Sequence, residues 1–271
     1  VDLNRNYDFN WIFGDELYQL DGGCSENPSY LSNYDYYRGP HPFSESEIVA
    51  IRDFALENQF ILSIAYHSSR SGCVSEKVIS SWLWDEEKEA PDLPVISRLG
   101  EEISQLIPTE DGLGYYYPAN STSMRGNAHD WFYKQTGCIQ YLIETGTSNM
   151  QPSDIEVIED TISRNMEGLL YLLKKGAGTT IQQGPDVYQI SGLVTDTGGN
   201  PIDAEVKIIE FNGPMLEPRF TDNFGRFRRL LIEGSYTLEI SAYGYETYTT
   251  TISPSSSSVT QVDVVLQELP L

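Results

Sequence analysis

His67 and Glu144 each close a short apolar run: FILSIAY (60–66) leads into His67, and CIQYLI (138–143) leads into Glu144, which Thr-Gly-Thr follows. A neutral imidazole is a zinc ligand, and a carboxylate beside a metal takes a proton from bound water. Asn4 and Arg5 close a third apolar stretch, Val1-Asp2-Leu3, which reads as the tail of a buried strand. An arginine fork grips a carboxylate through two parallel hydrogen bonds. Each residue also has an ordinary structural role open to it. A single His beside a strand is more often hydrogen-bonded support than a ligand, and a Glu at a strand end is usually just solvated. Their shared position shifts the balance, because an open α/β sheet binds ligands outside the carboxyl ends of its strands.

The elements that must position these groups are signalled by texture. Up to about Lys175 short apolar runs alternate with helical patterns, the mark of an α/β domain with a mixed, mostly parallel sheet flanked by helices. FILSIAY and CIQYLIE are continuous apolar runs, as strands buried on both faces should be. Ser44 and Glu47 form a capping-box pattern ahead of IVAIRDFALEN, and Ser153-Asp154 precedes the periodic run IEVIEDTISRNMEGLLYLLKK. Residues 178–186 form a small-residue, polar linker between a region spanning 1–177 and one spanning 187–271. The last region alternates short strands (ISGLVTD, AEVKIIEF, FRRLLIE, SYTLEISA) with turns at TGGNPI and DNFG. It reads as a small all-β antiparallel sandwich with no catalytic constellation of its own.

The formal net charge of −23 argues against nucleic acid or an anionic membrane surface as partner, since both would be repelled. No run reaches the length of a membrane span. Cys24, Cys73 and Cys138 lack metal-type spacing, so a zinc knuckle is not expected. Cys138, beside an apolar run, reads as a buried core thiol. Cys24 and Cys73 lie in loop-like stretches, and a bridge between them would suit an exported protein, though their connectivity is left open.

Five segments in order carry a family resemblance: VDLNRNYDFNW, RGPHPFSESE, SIAYHSS, GNAHDWFY and YLIETG. Together they resemble the second half of a zinc metallocarboxypeptidase of the carboxypeptidase A type. ISGLVTDTGGNPIDAEVKI and TDNFGRFRRLLIEGSYTLEISAYGYE resemble the transthyretin-like sandwich that follows the catalytic domain in regulatory carboxypeptidases. The resemblance implies Zn2+ as cofactor, a peptide with a free terminal carboxylate as substrate, and a secreted or periplasmic location. It implies that Asn4 and Arg5 hold that carboxylate, that His67 is a zinc ligand, and that the backbone at Ser68 helps hold the substrate chain. Glu144 would activate the attacking water and pass its proton to the leaving amine.

The sequence departs from the family pattern in three places. No His-x-x-Glu, the family's source of its first two zinc ligands, occurs here, nor does the Arg that polarises the scissile carbonyl. Both are expected upstream of Val1, with the missing half of the catalytic domain as a partner. Counting back from Asp130, the family's mobile Tyr falls on Thr122; of the nearby tyrosines Tyr117 is a substitute, with surface packing as its ordinary reading. His129 stands directly before Asp130, a position the resemblance implies lies at the floor of the pocket for the substrate's terminal side chain. There it selects a polar or acidic group with help from Arg125, or else only hydrogen-bonds within its own loop. The leading expectation is therefore a zinc exopeptidase. A cell-wall or γ-glutamyl peptide substrate, or a catalytically silent peptide-binding module on the same fold, are the alternatives.

Overall fold

Strands β1 (Leu62–Ser68), β2 (Lys77–Ser80), β5 (Tyr117–Asn120) and β6 (Ile139–Thr145) form one sheet in the order β1-β6-β2-β5. The short pair β3 (Leu83–Trp84) and β4 (Lys88–Glu89) lies outside it. β1 runs parallel to β6 and β2 parallel to β5, while β2 and β6 are antiparallel, so the sheet is mixed. These relationships come from a computed structural model that describes residues 1–14, 37–68, 76–84, 88–121, 125–146, 153–177 and 188–270. The chain divides into two compact units, Val1–Leu172 and Leu173–Leu271. Cys24, Cys73, Thr122 and the linker expected at 178–186 lie outside the described residues.

Both strands read from continuous apolar runs form, but with unequal burial. Ile139 to Ile143 of β6 are buried throughout, whereas β1 is only half-buried and Tyr66 is 44% exposed. The difference follows from position, since β1 stands at the outer end of the strand order and β6 inside it. Helix α2 (Leu93–Ser104) lies against β6 where Gly100 meets Tyr141, close enough that a Cβ on Gly100 would sit 3.3 Å from the ring. The Tyr141 hydroxyl donates to the Ile96 carbonyl at 2.7 Å, which ties strand to helix. Helix α3 (Ala128–Thr136) packs on β6 and gathers an aromatic cluster in which Trp131 touches Tyr7, Phe43 and Phe132.

Helices α1 (Ser46–Glu57) and α4 (Ile155–Ala177) form where the periodicity places them. Asp154 accepts the Glu156 N–H at 2.9 Å, as a start signal there requires. The capping box ahead of α1 does not form. Ser44 instead donates to the Glu45 carboxylate and accepts from Asn6, while Asn6 Oδ1 takes the Glu45 N–H, so a distant residue replaces the local cap. Cys138 is a buried free thiol, its pKa pushed up to about 12 by burial.

The second unit contains β7 (Gln189–Thr195), β8 (Glu205–Ile208), β9 (Arg226–Leu230), β10 (Tyr236–Ser241), β11 (Tyr248–Ile252), β12 (Thr260–Gln261) and β13 (Val264–Val265). β8, β10 and β11 form one antiparallel sheet, and β7 pairs antiparallel with β9. β7 also pairs in parallel with β12 and β13, an exception to the all-antiparallel expectation. Among the described residues no helix is long and apolar enough to cross a membrane.

Candidate functional site

His67 and Glu144 are register partners on neighbouring parallel strands, and the same row continues through Lys77 of β2 to Tyr117 of β5. Neighbouring strands stand about 4.8 Å apart, so four side-chain positions form a line across the sheet. Both His67 and Glu144 are half-buried. Ser68 pairs with Thr145 one step on, and the Thr145 hydroxyl donates to the His67 carbonyl at 2.9 Å, tying the two strand ends together. Tyr117, 51% exposed, occupies the far end of the row, while Tyr116 is buried with its hydroxyl on Glu76.

Asn4 and Arg5 do not follow a strand. Val1 and Leu3 are exposed and Leu3–Arg5 is a 3-10 turn, which corrects the reading of Val1-Asp2-Leu3 as a strand tail. The Asp2 carboxylate accepts the Asn4 N–H at 2.9 Å, and three apolar-patterned residues are too few to outweigh that local cap. Asn4 Oδ1 then accepts the Ala128 N–H at 2.9 Å, satisfying a donor at the start of α3. Gly126 locks the arrangement. Its φ is +71°, and a Cβ there would fall 2.6 Å from the Arg5 carbonyl oxygen. Asn6, fully buried, donates to the carbonyls of Arg38 and His41 and to Ser44 Oγ, fixing the chain just after Arg5. Arg5 itself donates to the Asn4 carbonyl at 2.8 Å.

Electrostatics shows which groups share one neighbourhood. Burial lowers the His67 pKa, the Asp2 carboxylate opposes that shift and the Arg5 guanidinium reinforces it. His129 is driven down to about 3 by burial first, then by Arg5 and His67. Asp130 is pushed up to about 8 by burial, against hydrogen bonds from Asn127 and Ser121 and the pull of Arg5. Arg5 thus acts on His67, His129 and Asp130, His67 acts on His129, and Glu144 is the register partner of His67. Arg125 is exposed and the His129 ring is buried. Among the described residues neither ring nitrogen of His129 has a hydrogen-bond partner.

The sequence reading passed over Asp2, Lys77, Gly126 and Asp130. Asp2 alone carried a usable signal, an acidic residue two positions before a polar turn. The place of Lys77 beside Glu144 depends on an antiparallel pairing that no local pattern announces.

A catalytic zinc needs three protein ligands. Among the described residues no group of three or more His, Cys, Asp or Glu side chains is arranged to hold an ion. His67 supplies one imidazole, so these residues do not make a complete metal site.

Comparison with known proteins places the chain in a family. The zinc carboxypeptidase family model matches residues 1–168 and the carboxypeptidase regulatory-like domain model matches residues 189–267. Carboxypeptidase D of Anas platyrhynchos is 24% identical over 291 aligned positions, covering 97% of this chain and 18% of the relative. Carboxypeptidase D of Drosophila melanogaster is 25% identical over 264 positions, covering 84% and 17% respectively. The chain therefore spans less than a fifth of the length of these relatives. Among solved structures, a carboxypeptidase A from Helicoverpa armigera aligns with TM-score 0.43 and 20% identity over 62% of this chain and 40% of its own. Thrombin activatable fibrinolysis inhibitor aligns with TM-score 0.44 and 19% identity over 64% and 42%. With well over half its residues matched by the first model, this chain belongs to the zinc carboxypeptidase family and carries a carboxypeptidase regulatory-like domain after the family domain.

Proposed function

We propose that the protein containing this chain is a metallocarboxypeptidase, which hydrolyses the last peptide bond of a peptide, and that these residues form the part that holds the substrate's end. Arg5 and Asn4 take the terminal carboxylate. With Asn4 Oδ1 already committed to Ala128, its Nδ2 group is the donor Asn4 has to offer. The backbone at Ser68 supports the substrate chain, and Glu144 takes a proton from the attacking water and delivers it to the leaving amine. His129 floors the pocket for the terminal side chain. Arg125 and Tyr117, both exposed, act on the approaching peptide. His67 is one ligand of a Zn2+ whose other two ligands come from polypeptide outside the described residues, and export to the periplasm or the cell exterior fits the same reading.

One observation carries this reading: an imidazole and a carboxylate occupy one register row at the ends of two parallel strands, and a guanidinium acts electrostatically on the imidazole. Fixing the carboxylate restricts cleavage to chain ends, because an internal peptide offers no such charge. The test is hydrolysis by the whole protein of one peptide as free acid and as terminal amide. Release of the last residue from the acid alone supports the reading, and equal cleavage of both removes it.

A second reading, a peptide-binding module without turnover, is favoured by the lack of a three-donor metal group among the described residues. Zinc content of the whole protein separates the two. About one zinc per chain, lost together with hydrolysis on chelation, supports the enzyme. A zinc-free protein that still binds peptide acids supports the module.

A further inference from the structure

Lys77 stands between Glu144 and Tyr117 in the register row that crosses the sheet, opposite Glu144 on antiparallel strands and opposite Tyr117 on parallel ones. Register partners share a face, so its side chain rises beside that of Glu144, one strand spacing of about 4.8 Å away. The lysine is half-buried, while Val78, the next residue of β2, is fully buried on the other face. Among the described residues no hydrogen bond or ion pair holds the Lys77 ammonium. Glu76, the residue before it, is committed elsewhere, its carboxylate accepting from Arg164 at 2.8 Å and from the Tyr116 hydroxyl at 2.9 Å. A half-buried charge that lacks a counter-charge has lost part of its hydration, which an anionic group arriving beside it offsets.

We propose that Lys77 selects an acidic side chain at the penultimate position of the substrate, an inference that rests on the reading of Arg5 as the carboxylate anchor and Glu144 as the base. The order of the groups carries it. Arg5 acts on His67 at one end of the row, and Lys77 lies beyond Glu144, on the side away from His67. A peptide with its terminal carboxylate on Arg5 and its last bond at His67 and Glu144 brings the residue before that bond toward Lys77. Consecutive Cα atoms are about 3.8 Å apart and neighbouring strands about 4.8 Å, so one residue of substrate spans roughly one step of the row. An Asp or Glu side chain there meets a counter-charge, and a Lys or Arg side chain meets a like one. The formal net charge of −23 works against an anionic peptide at long range, so a preference for one needs a local cation, and Lys77 is the cation of the row.

The test is hydrolysis by the whole protein, supplied with zinc, of three peptide acids that differ only at the penultimate residue, Glu, Gln or Lys, read as kcat/KM at about 0.15 M salt. The Glu peptide should exceed both others by about fivefold, the worth of one partly screened ion pair. Lys77→Gln should bring the Glu and Gln peptides level, and Lys77→Glu should put the Lys peptide first. Equal rates for Glu and Gln, or a faster Lys peptide, in the unmodified protein overturn the proposal and leave the carboxypeptidase reading standing, and this ratio decides the matter even where a variant does not fold. A Glu preference that survives in Lys77→Gln also overturns it, because another cation is then responsible. If Lys77→Gln changes kcat by one factor for all three peptides, Lys77 serves Glu144 and not the substrate, and the proposal falls. No hydrolysis of any of the three removes the carboxypeptidase reading and the proposal with it.

Discussion

His67 and Glu144 sit directly opposite one another at the carboxyl ends of β1 and β6, two parallel neighbours in the sheet. Parallel pairing makes this relationship firm. A slip of one residue would turn every side chain of β1 to the other face and separate the imidazole from the carboxylate. The pair is therefore held in register by the whole ladder from Leu62↔Ile139 onward.

Glu144 is half-buried at a strand end, so its removal should cost activity and little stability. Glu144→Gln keeps the shape and loses the proton acceptor. Hydrolysis by the whole protein should fall by about 10²–10⁴-fold, the usual worth of a positioned general base, with an unchanged melting temperature. Progress curves on a peptide acid check the first point and a thermal melt the second. A variant that retains turnover would assign the proton to another group.

Arg5 should act on selection, not on the bond that breaks. Arg5→Ala is expected to weaken binding of peptide acids and leave amides unaffected, which a comparison of KM for the two reads directly. Gly126→Ala should reproduce part of this from a distance. Its Cβ would press on the Arg5 and Tyr7 carbonyl oxygens, at 2.6 and 2.7 Å, and shift the turn that carries the guanidinium. Loss of the acid preference in Arg5→Ala with none in Gly126→Ala would show that the turn accommodates the methyl.

Much of this arrangement was written in local patterns. The apolar runs at 60–66 and 138–144 announced β1 and β6 because a continuous run has few other uses, and Ser153-Asp154 announced α4 because its cap is local. The failures are tertiary. Ser44 and Glu47 spell a capping box, but Asn6, 38 residues from Ser44, takes the hydroxyl for itself. Apolar pattern records what a strand is made of and not how many neighbours it has, so the half-exposure of β1 was not legible. His129 was found by its place beside Asp-Trp. The meaning of Asp130 comes only from burial, which no sequence spacing encodes.

Burial of Asp130 should make stability fall as the solution becomes alkaline. Its folded pKa, about 8, lies above the ordinary carboxyl value, so its contribution is complete in acid and is lost as pH rises toward that point. His129 runs the other way. Its folded value near 3 lies below the ordinary 6.5, so its contribution is present above 6.5 and lost as pH falls through 3. Of the two, Asp130 alone contributes a slope between pH 6.5 and 8, with a ceiling of about 1.4 kcal/mol per pH unit. Urea midpoints across that window should fall for the unmodified chain and stay flatter for Asp130→Asn. Parallel curves would mean that Asp130 is ionised when folded.

Glu76 and Arg164 should show the opposite balance, stability without any part in selection. Their side chains are 3% and 10% exposed and meet at 2.8 Å. Glu76 also accepts from the Tyr116 hydroxyl at 2.9 Å and the Glu110 N–H at 2.7 Å, and Arg164 donates to the Pro108 carbonyl at 2.9 Å. Arg164→Met leaves a buried carboxylate with its hydrogen bonds but no counter-charge, which should cost about 3–5 kcal/mol. Adding Glu76→Gln removes the stranded charge, so the double variant should be more stable than Arg164→Met alone. Equilibrium urea unfolding of the three proteins gives both numbers. A single variant within about 1 kcal/mol of the unmodified chain would place the pair with exposed ion pairs, where water screens the charge whatever the distance between the atoms.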